Sequence, residues 1–166
     1  MGILYYDTLH SVLGELYVVA SEEGIVYIGT PNASFSEVEV WANKRFKNYT
    51  FEENSAVIAP YLEQLEAYFK RELREFNLPI HVKGTPFQLA VWNTLKELPY
   101  GTTVSYSEIA ERIGQPKAVR AVGAAIGANP ILAIIPCHRV IGKNGKMTGF
   151  RSGIPMKEFL LQLEHK

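Results

Sequence analysis

The chain has 166 residues and a single cysteine, Cys137, followed directly by a histidine in Pro136-Cys-His-Arg-Val140. A thiol reacts as its thiolate, and a free cysteine with a pKa of about 8.5 is mostly protonated at neutral pH. A nearby imidazole can remove that proton, and a carboxylate on the far ring nitrogen then fixes the tautomer and stabilises the imidazolium. Glu164 and Glu158 are the candidates for that carboxylate. These residue types allow nucleophilic cysteine chemistry, and equally an inert core thiol, since isolated cysteines are among the most buried side chains. One cysteine forms no internal disulfide and no four-cysteine zinc site. The four histidines (His10, His81, His138, His165) lack HExxH or HxH spacing, so no metal and no cofactor are expected.

Several elements must position this motif. The apolar run Ile131–Ile135 ahead of Pro136 predicts a buried strand ending at the cysteine. Consecutive strand residues face opposite ways, so direct contact between Cys137 and His138 is not expected. Upstream, Ser105–Ile113 closes at Gly114, Gln115-Pro116 turns, and Lys117–Gly127 forms a second helix. This is the pattern of a helix-turn-helix, and equally of an ordinary αα-hairpin. The second helix is built of Ala118, Ala121, Gly123 and Ala124, with Lys117 and Arg120 as its basic side chains. Small residues let a helix press close to another surface. Major-groove readers instead need long polar side chains, so this composition fits minor-groove approach or insertion beside a base. Thr85-Pro-Phe-Gln88 is a capping-box start for a scaffold helix along Phe87, Val91, Leu95 and Leu98, stopped by Pro99-Tyr-Gly101.

The first half reads differently. Ile3–Thr8, Glu15–Ala20 and Ile25–Thr30 are predicted strands, Glu37–Phe46 and Ala56–Arg74 predicted helices, and nothing there points to chemistry. Residues 1–79 carry six Lys+Arg against twelve Asp+Glu, a net of −6, and residues 80–166 carry eleven against five, a net of +6. Opposed charge predicts two units, 1–79 and 80–166, with the basic one facing an anionic partner. Hydrophobic residues at 47% and charged residues at 20% suit a folded protein. No stretch approaches the roughly 18 apolar residues of a membrane span, and the first residues do not form a secretory signal. A cytoplasmic protein without a membrane partner is expected.

Gly84-Thr-Pro-Phe-Gln-Leu-Ala-Val-Trp92, Pro99-Tyr-Gly101, Ser105-Tyr106, Ile109-Ala110, Arg120-Ala-Val-Gly123, Asn129-Pro130 and Ile135-Pro-Cys-His-Arg-Val-Ile-Gly142 occur in that order. Together they resemble the O6-alkylguanine-DNA alkyltransferases, over about residues 80–166. The resemblance implies a ribonuclease-H-like α/β first domain of antiparallel strands plus helices, then a mainly α domain with a helix-turn-helix of winged-helix-like type. It implies methylated-DNA–protein-cysteine S-methyltransferase activity, in which an alkyl group moves irreversibly, in a single turnover, from O6-alkylguanine in double-stranded DNA to Cys137. O4-alkylthymine is left open as a second substrate, and a monomer is expected.

Residue by residue, the resemblance gives His138 the role of base through a bridging water, Glu164 that of orienting the imidazole, and Tyr106 that of serving guanine N3. Arg120 fills the stack vacated by the extruded base. Lys117, Ala118, Ala121 and Gly123 meet the DNA, and Asn129 braces the active-site loop. Val140 offers its carbonyl to the guanine amino group, and Met147, Phe150 and Arg151 wall the alkyl pocket. Phe150 stands where most members have Tyr, which removes a hydroxyl from that wall. Arg151 stands where some have Gly or Ser, and no zinc is expected in the first domain.

Other readings make different demands. A non-catalytic sensor of alkyl damage resembling the alkyltransferase-like proteins replaces the acceptor cysteine, whereas Cys137 is present. A DNA-binding regulator has no need of Pro-Cys-His-Arg, and a Cys-His hydrolase turns over without DNA.

Overall fold

The computed structural model describes residues 2–142 and 153–165. The chain folds as two compact units, Met1–Lys83 and Gly84–Lys166.

The first unit opens with a meander, β1 (Gly2–Ser11), β2 (Gly14–Ser21) and β3 (Gly24–Ile28), followed by α1 (Phe35–Arg45), β4 (Tyr49–Glu53) and α2 (Ser55–Phe69). The sheet order is β3-β2-β1-β4, with β1–β2 and β2–β3 antiparallel and β4 parallel to β1. The sheet is therefore mixed, not purely antiparallel. A parallel partner needs a long crossover, which β2, β3 and α1 supply. Strand alternation sends Leu4, Val19 and Val26 into a cluster with Val38 and Ala42 of α1, ringed by Tyr6, Tyr17, Phe35, Trp41 and Phe51. α2 packs on β1 and β2 and buries Ile58, Tyr61, Leu65 and Tyr68. It stops at Phe69, short of the expected Arg74. Arg71 takes a left-handed φ of 63° and Glu72 N–H reaches back to the Ala67 carbonyl, a Schellman-type end made without glycine.

The second unit runs α3 (Pro86–Lys96), β5 (Val104–Ser105), α4 (Tyr106–Arg112), α5 (Val119–Gly127), a 3₁₀ turn (Cys137–Arg139), β6 (Val140–Ile141) and α6 (Ile154–His165). The α3 capping box forms as its sequence dictates. Thr85 Oγ1 accepts from Gln88 N at 3.1 Å, and Gln88 Oε1 accepts from Thr85 N at 3.0 Å. Val91, Trp92 and Leu95 of α3 are buried, and the Trp92 indole N–H donates to the Ala125 carbonyl of α5 at 2.8 Å. Ser105 caps α4 through Glu108 N, and Gly114, at a φ of 76°, makes the turn toward α5. β5 and β6 form a short parallel pair, Val104 opposite Val140 and Ser105 opposite Ile141.

The strand expected at Ile131–Ile135 is not formed. Residues 131–135 are a run of turns with Ala133 at a φ of 68°. Asn129 explains why an apolar run can be buried here without a sheet partner. Its Nδ2 donates to the Ile135 carbonyl at 2.8 Å, and its Oδ1 accepts from Ile131 N at 3.0 Å. One side chain thus closes both ends of the loop and satisfies buried backbone groups that a strand ladder would otherwise take.

Candidate active site

Cys137 opens the 3₁₀ turn Cys137–Arg139 and is 1% exposed. The expectation that Cys137 and His138 alternate along a strand fails for the same reason as the strand itself: a tight helical turn replaces the extended backbone. His138 is fully buried, and its Nε2 lies 2.7 Å from Glu164 Oε2 near the end of α6. Of the two candidate carboxylates, Glu164 is the one at the site, while Glu158 is exposed.

Glu164 accepts three further hydrogen bonds from two groups. Arg139 donates from Nε to Oε1 at 2.8 Å and from Nη2 to Oε2 at 2.8 Å, and Gly101 N donates to Oε1 at 3.2 Å. A carboxylate ringed by a guanidinium and a backbone N–H is ionised and acts only as an acceptor. His138 must then carry its proton on Nε2, which leaves the buried Nδ1 as the basic nitrogen on the other side of the ring. Gly101 is fixed by its surroundings. Its φ is 78°, and a Cβ there would lie 3.1 Å from the Glu164 carbonyl oxygen. Burial pushes the His138 imidazole below its usual pKa. Glu164 pulls it back up, and Arg139 and Lys157 add to the depression.

Lys157, seven residues before Glu164 on α6, is buried, with its Nζ 5.7 Å from the centre of the Tyr106 ring. Burial lowers its pKa, and the charge it feels from Cys137 raises it again. An ammonium within electrostatic reach of Cys137 favours the thiolate over the thiol. Gly123 of α5 comes to the same ring, since a Cβ built there would sit 4.0 Å from Tyr106 Cδ1.

The remaining expected site residues divide into groups. Asn129 is buried and closes the 129–135 loop, and Val140 is buried and paired with Val104. Arg120 and Ala121 are exposed on α5; Lys117 is exposed and Ala118 half-buried ahead of its first turn, so neither of these two is inside the helix. Met147, Phe150 and Arg151 lie outside the described residues. Arg139 and Lys157 escaped the sequence reading. A signal for Lys157 was present: it falls with Glu164 on the stripe Met156, Leu160 and Leu163, where α6 is otherwise apolar.

Models of two domains match in tandem. The 6-O-methylguanine DNA methyltransferase ribonuclease-like domain covers residues 4–82, and the DNA binding domain of the same family covers residues 86–166. The chain belongs to the 6-O-methylguanine DNA methyltransferase family. Within it, the chain is 47% identical to the inducible methylated-DNA–protein-cysteine methyltransferase of Bacillus subtilis, over 98% of this chain and 91% of that protein. It is 46% identical to the methylated-DNA–protein-cysteine methyltransferase of Methanosarcina acetivorans, over 97% and 98%. Among solved structures it is similar to Mycobacterium tuberculosis OGT in complex with DNA, at 38% identity, a TM-score of 0.80 and coverage of 97% of this chain and 92% of that one. The methyltransferase family fold thus accounts for both units: a ribonuclease-like first domain and a helical DNA-binding second domain. No helix among the described residues is long and apolar enough to cross a membrane.

Proposed function

We propose that this protein repairs DNA by moving the alkyl group of O6-alkylguanine onto Cys137 in a single irreversible turnover. One observation carries the reading: the lone cysteine of a methyltransferase-family chain adjoins a buried His138–Glu164–Arg139 network.

The chemistry balances with residues of this chain and one bridging water. The Cys137 proton passes to His138 Nδ1 through a water, and Glu164 on Nε2 supports the imidazolium that results. The thiolate attacks the alkyl carbon in line, the S–C bond forms, and the C–O6 bond breaks with its electron pair going to the purine. Tyr106 donates its hydroxyl proton toward N3, so that guanine leaves neutral. Lys157 stabilises the thiolate electrostatically and, over the Tyr106 ring, favours proton donation by the phenol. The product is a thioether, which has no leaving group for a second cycle.

O6 is out of reach inside a duplex, so the nucleotide is extruded. We assign α4, the turn and α5 to a helix-turn-helix. Arg120 on its exposed face fills the vacated stack, and Ala118, Ala121 and Gly123 admit the minor-groove backbone beside Lys117. Asn129 holds the 129–135 loop, and the Val140 carbonyl receives the guanine amino group. Met147, Phe150 and Arg151 belong to the alkyl pocket. The protein acts as a monomer in the cytoplasm, with no cofactor.

The test is base analysis of a duplex carrying one O6-methylguanine, incubated with increasing protein. Guanine restored in proportion to protein, one lesion per chain, is expected. Restoration that continues beyond one per chain, or none at all, contradicts the reading.

A further inference from the structure

Arg139 makes more contacts in the site than recognition of a single carboxylate needs. Besides its two bonds to Glu164, its Nη1 donates to the Leu98 carbonyl at 2.6 Å, and its guanidinium carbon lies 5.7 Å from the centre of the Tyr100 ring. Tyr100 in turn donates from its hydroxyl to the Leu163 carbonyl at 3.3 Å, one residue before Glu164. The Leu98–Gly101 turn, the 3₁₀ turn and the end of α6 therefore meet on one side chain. Arg139 is 6% exposed, so its charge is little screened by solvent.

We propose that Arg139 is a positioning residue for alkyl transfer, clamping Glu164 in the plane that fixes His138 while cancelling the carboxylate charge that the imidazole would otherwise feel. The proposal rests on the transfer reading above, and it adds Arg139 to burial as a cause that keeps His138 neutral.

The electrostatic logic follows from the groups that face the ring. Glu164 and Lys157 reach it from α6, and Arg139 and Cys137 from its own turn. α3, also packed against this turn, carries one charged residue, Lys96, which is exposed. A bare carboxylate beside Nε2 would hold His138 protonated to higher pH, and a protonated imidazole cannot accept the Cys137 proton. With its charge spread over Arg139, Glu164 keeps its orienting bond and loses much of its pull on the proton. Arg139 is suited to this where lysine is not, because one planar fork supplies two parallel bonds to Glu164 and a third to Leu98.

Two variants separate clamp from charge. Arg139→Gln removes the charge and keeps an amide donor, whereas Arg139→Lys keeps the charge and loses the fork. The readouts are the rate of methyl transfer from an O6-methylguanine duplex against pH, and the imidazole titration of His138 followed by NMR in the DNA-free protein. In Arg139→Gln the acid limb of the rate profile and the His138 titration both move up by about one pH unit. In Arg139→Lys the plateau rate falls about tenfold and the limb stays in place. A purely structural role lowers rates without moving the limb, and that result in Arg139→Gln overturns the proposal. Should that variant not fold, Arg139→Lys decides the clamp: parental rates at every pH overturn it. A parent protein that never alkylates Cys137 overturns the transfer reading instead, which keeps the two failures distinct.

Discussion

Glu164 Oε2 lies 2.7 Å from His138 Nε2, and the two residues, 26 positions apart in sequence, are both buried. In the proposed mechanism this contact sets the direction of proton flow, because it commits Nε2 to the carboxylate and leaves Nδ1 to act as the base. Substituting Glu164→Gln keeps the shape, removes the negative charge, and strands Arg139 in the interior. Breaking one partner of a buried ion pair costs about 3–5 kcal/mol, and loss of an oriented general base costs about 100-fold in rate. Urea denaturation should show the second unit destabilised, and single-turnover assays should show transfer slowed by that order. An unchanged midpoint together with an unchanged rate contradicts the assigned network.

The pH dependence has a definite sign. His138 is buried and its pKa is depressed on folding, so the unfolded chain binds the proton first as pH falls. Stability contributed by the neutral imidazole is present above about pH 6.5 and is lost as pH falls from there through the folded-state pKa. The urea midpoint of the second unit should therefore hold between pH 8 and 7 on this account and decline below about 6.5. A His138→Gln variant should show a shallower decline, which separates this residue from His10, His81 and His165. An identical decline in both proteins assigns the effect elsewhere.

Lys157 places a charge in the interior where an apolar side chain would fit the stripe of Met156, Leu160 and Leu163. Replacing a buried charge by a hydrophobic residue of similar volume is often stabilising. Lys157→Met should raise the melting temperature by about 2–4 °C, which corresponds to roughly 1 kcal/mol in a chain of this size. It should also slow methyl transfer at least tenfold and raise the pKa of Cys137, measured by thiol alkylation against pH. A lower melting temperature with unchanged transfer and thiol reactivity would make Lys157 a structural residue only.

Much of the scaffold was legible because its signals are local. Thr85 to Gln88 spells out a capping box within four residues, and Ser105 and Gly114 bound α4 in the same way. The end of α2 was not legible, because Arg71, not a glycine, takes the left-handed position there. β4 was hidden because Tyr49–Glu53 gains strand character only from β1, some 45 residues earlier (Gly2 pairs with Tyr49). Ile131–Ile135 looked like a strand because an apolar run carries no period of its own; the deciding information sat in the amide of Asn129. Cys137, His138 and Glu164 could be named from motif and resemblance. Arg139 could not, since its contacts form only once Leu98 and Glu164 converge on it.

Arg120 is exposed on α5, whereas His138 and Glu164 are buried, and the proposed function gives Arg120 a part in recognition and not in the chemistry. Arg120→Ala should slow repair of an O6-methylguanine duplex by about 1–3 kcal/mol of lost unstacking compensation, roughly 5- to 150-fold. Reaction with the free base O6-benzylguanine, which needs no extrusion, should change less than twofold. Equal losses on both substrates contradict an extrusion role for Arg120.

Cys137 is the proposed acceptor, and intact-protein mass spectrometry with peptide mapping shows where the alkyl group goes. After incubation with an excess of duplex carrying O6-methylguanine, the chain should gain one methylene mass, about 14 Da, saturating at one per chain and mapping to Cys137, as expected of an irreversibly alkylated nucleophile. Unmodified duplex should give no gain, and Cys137→Ala should bind the damaged duplex without gaining mass. A parent protein that binds the lesion but gains no mass, or that carries the methyl group on another residue, contradicts the account.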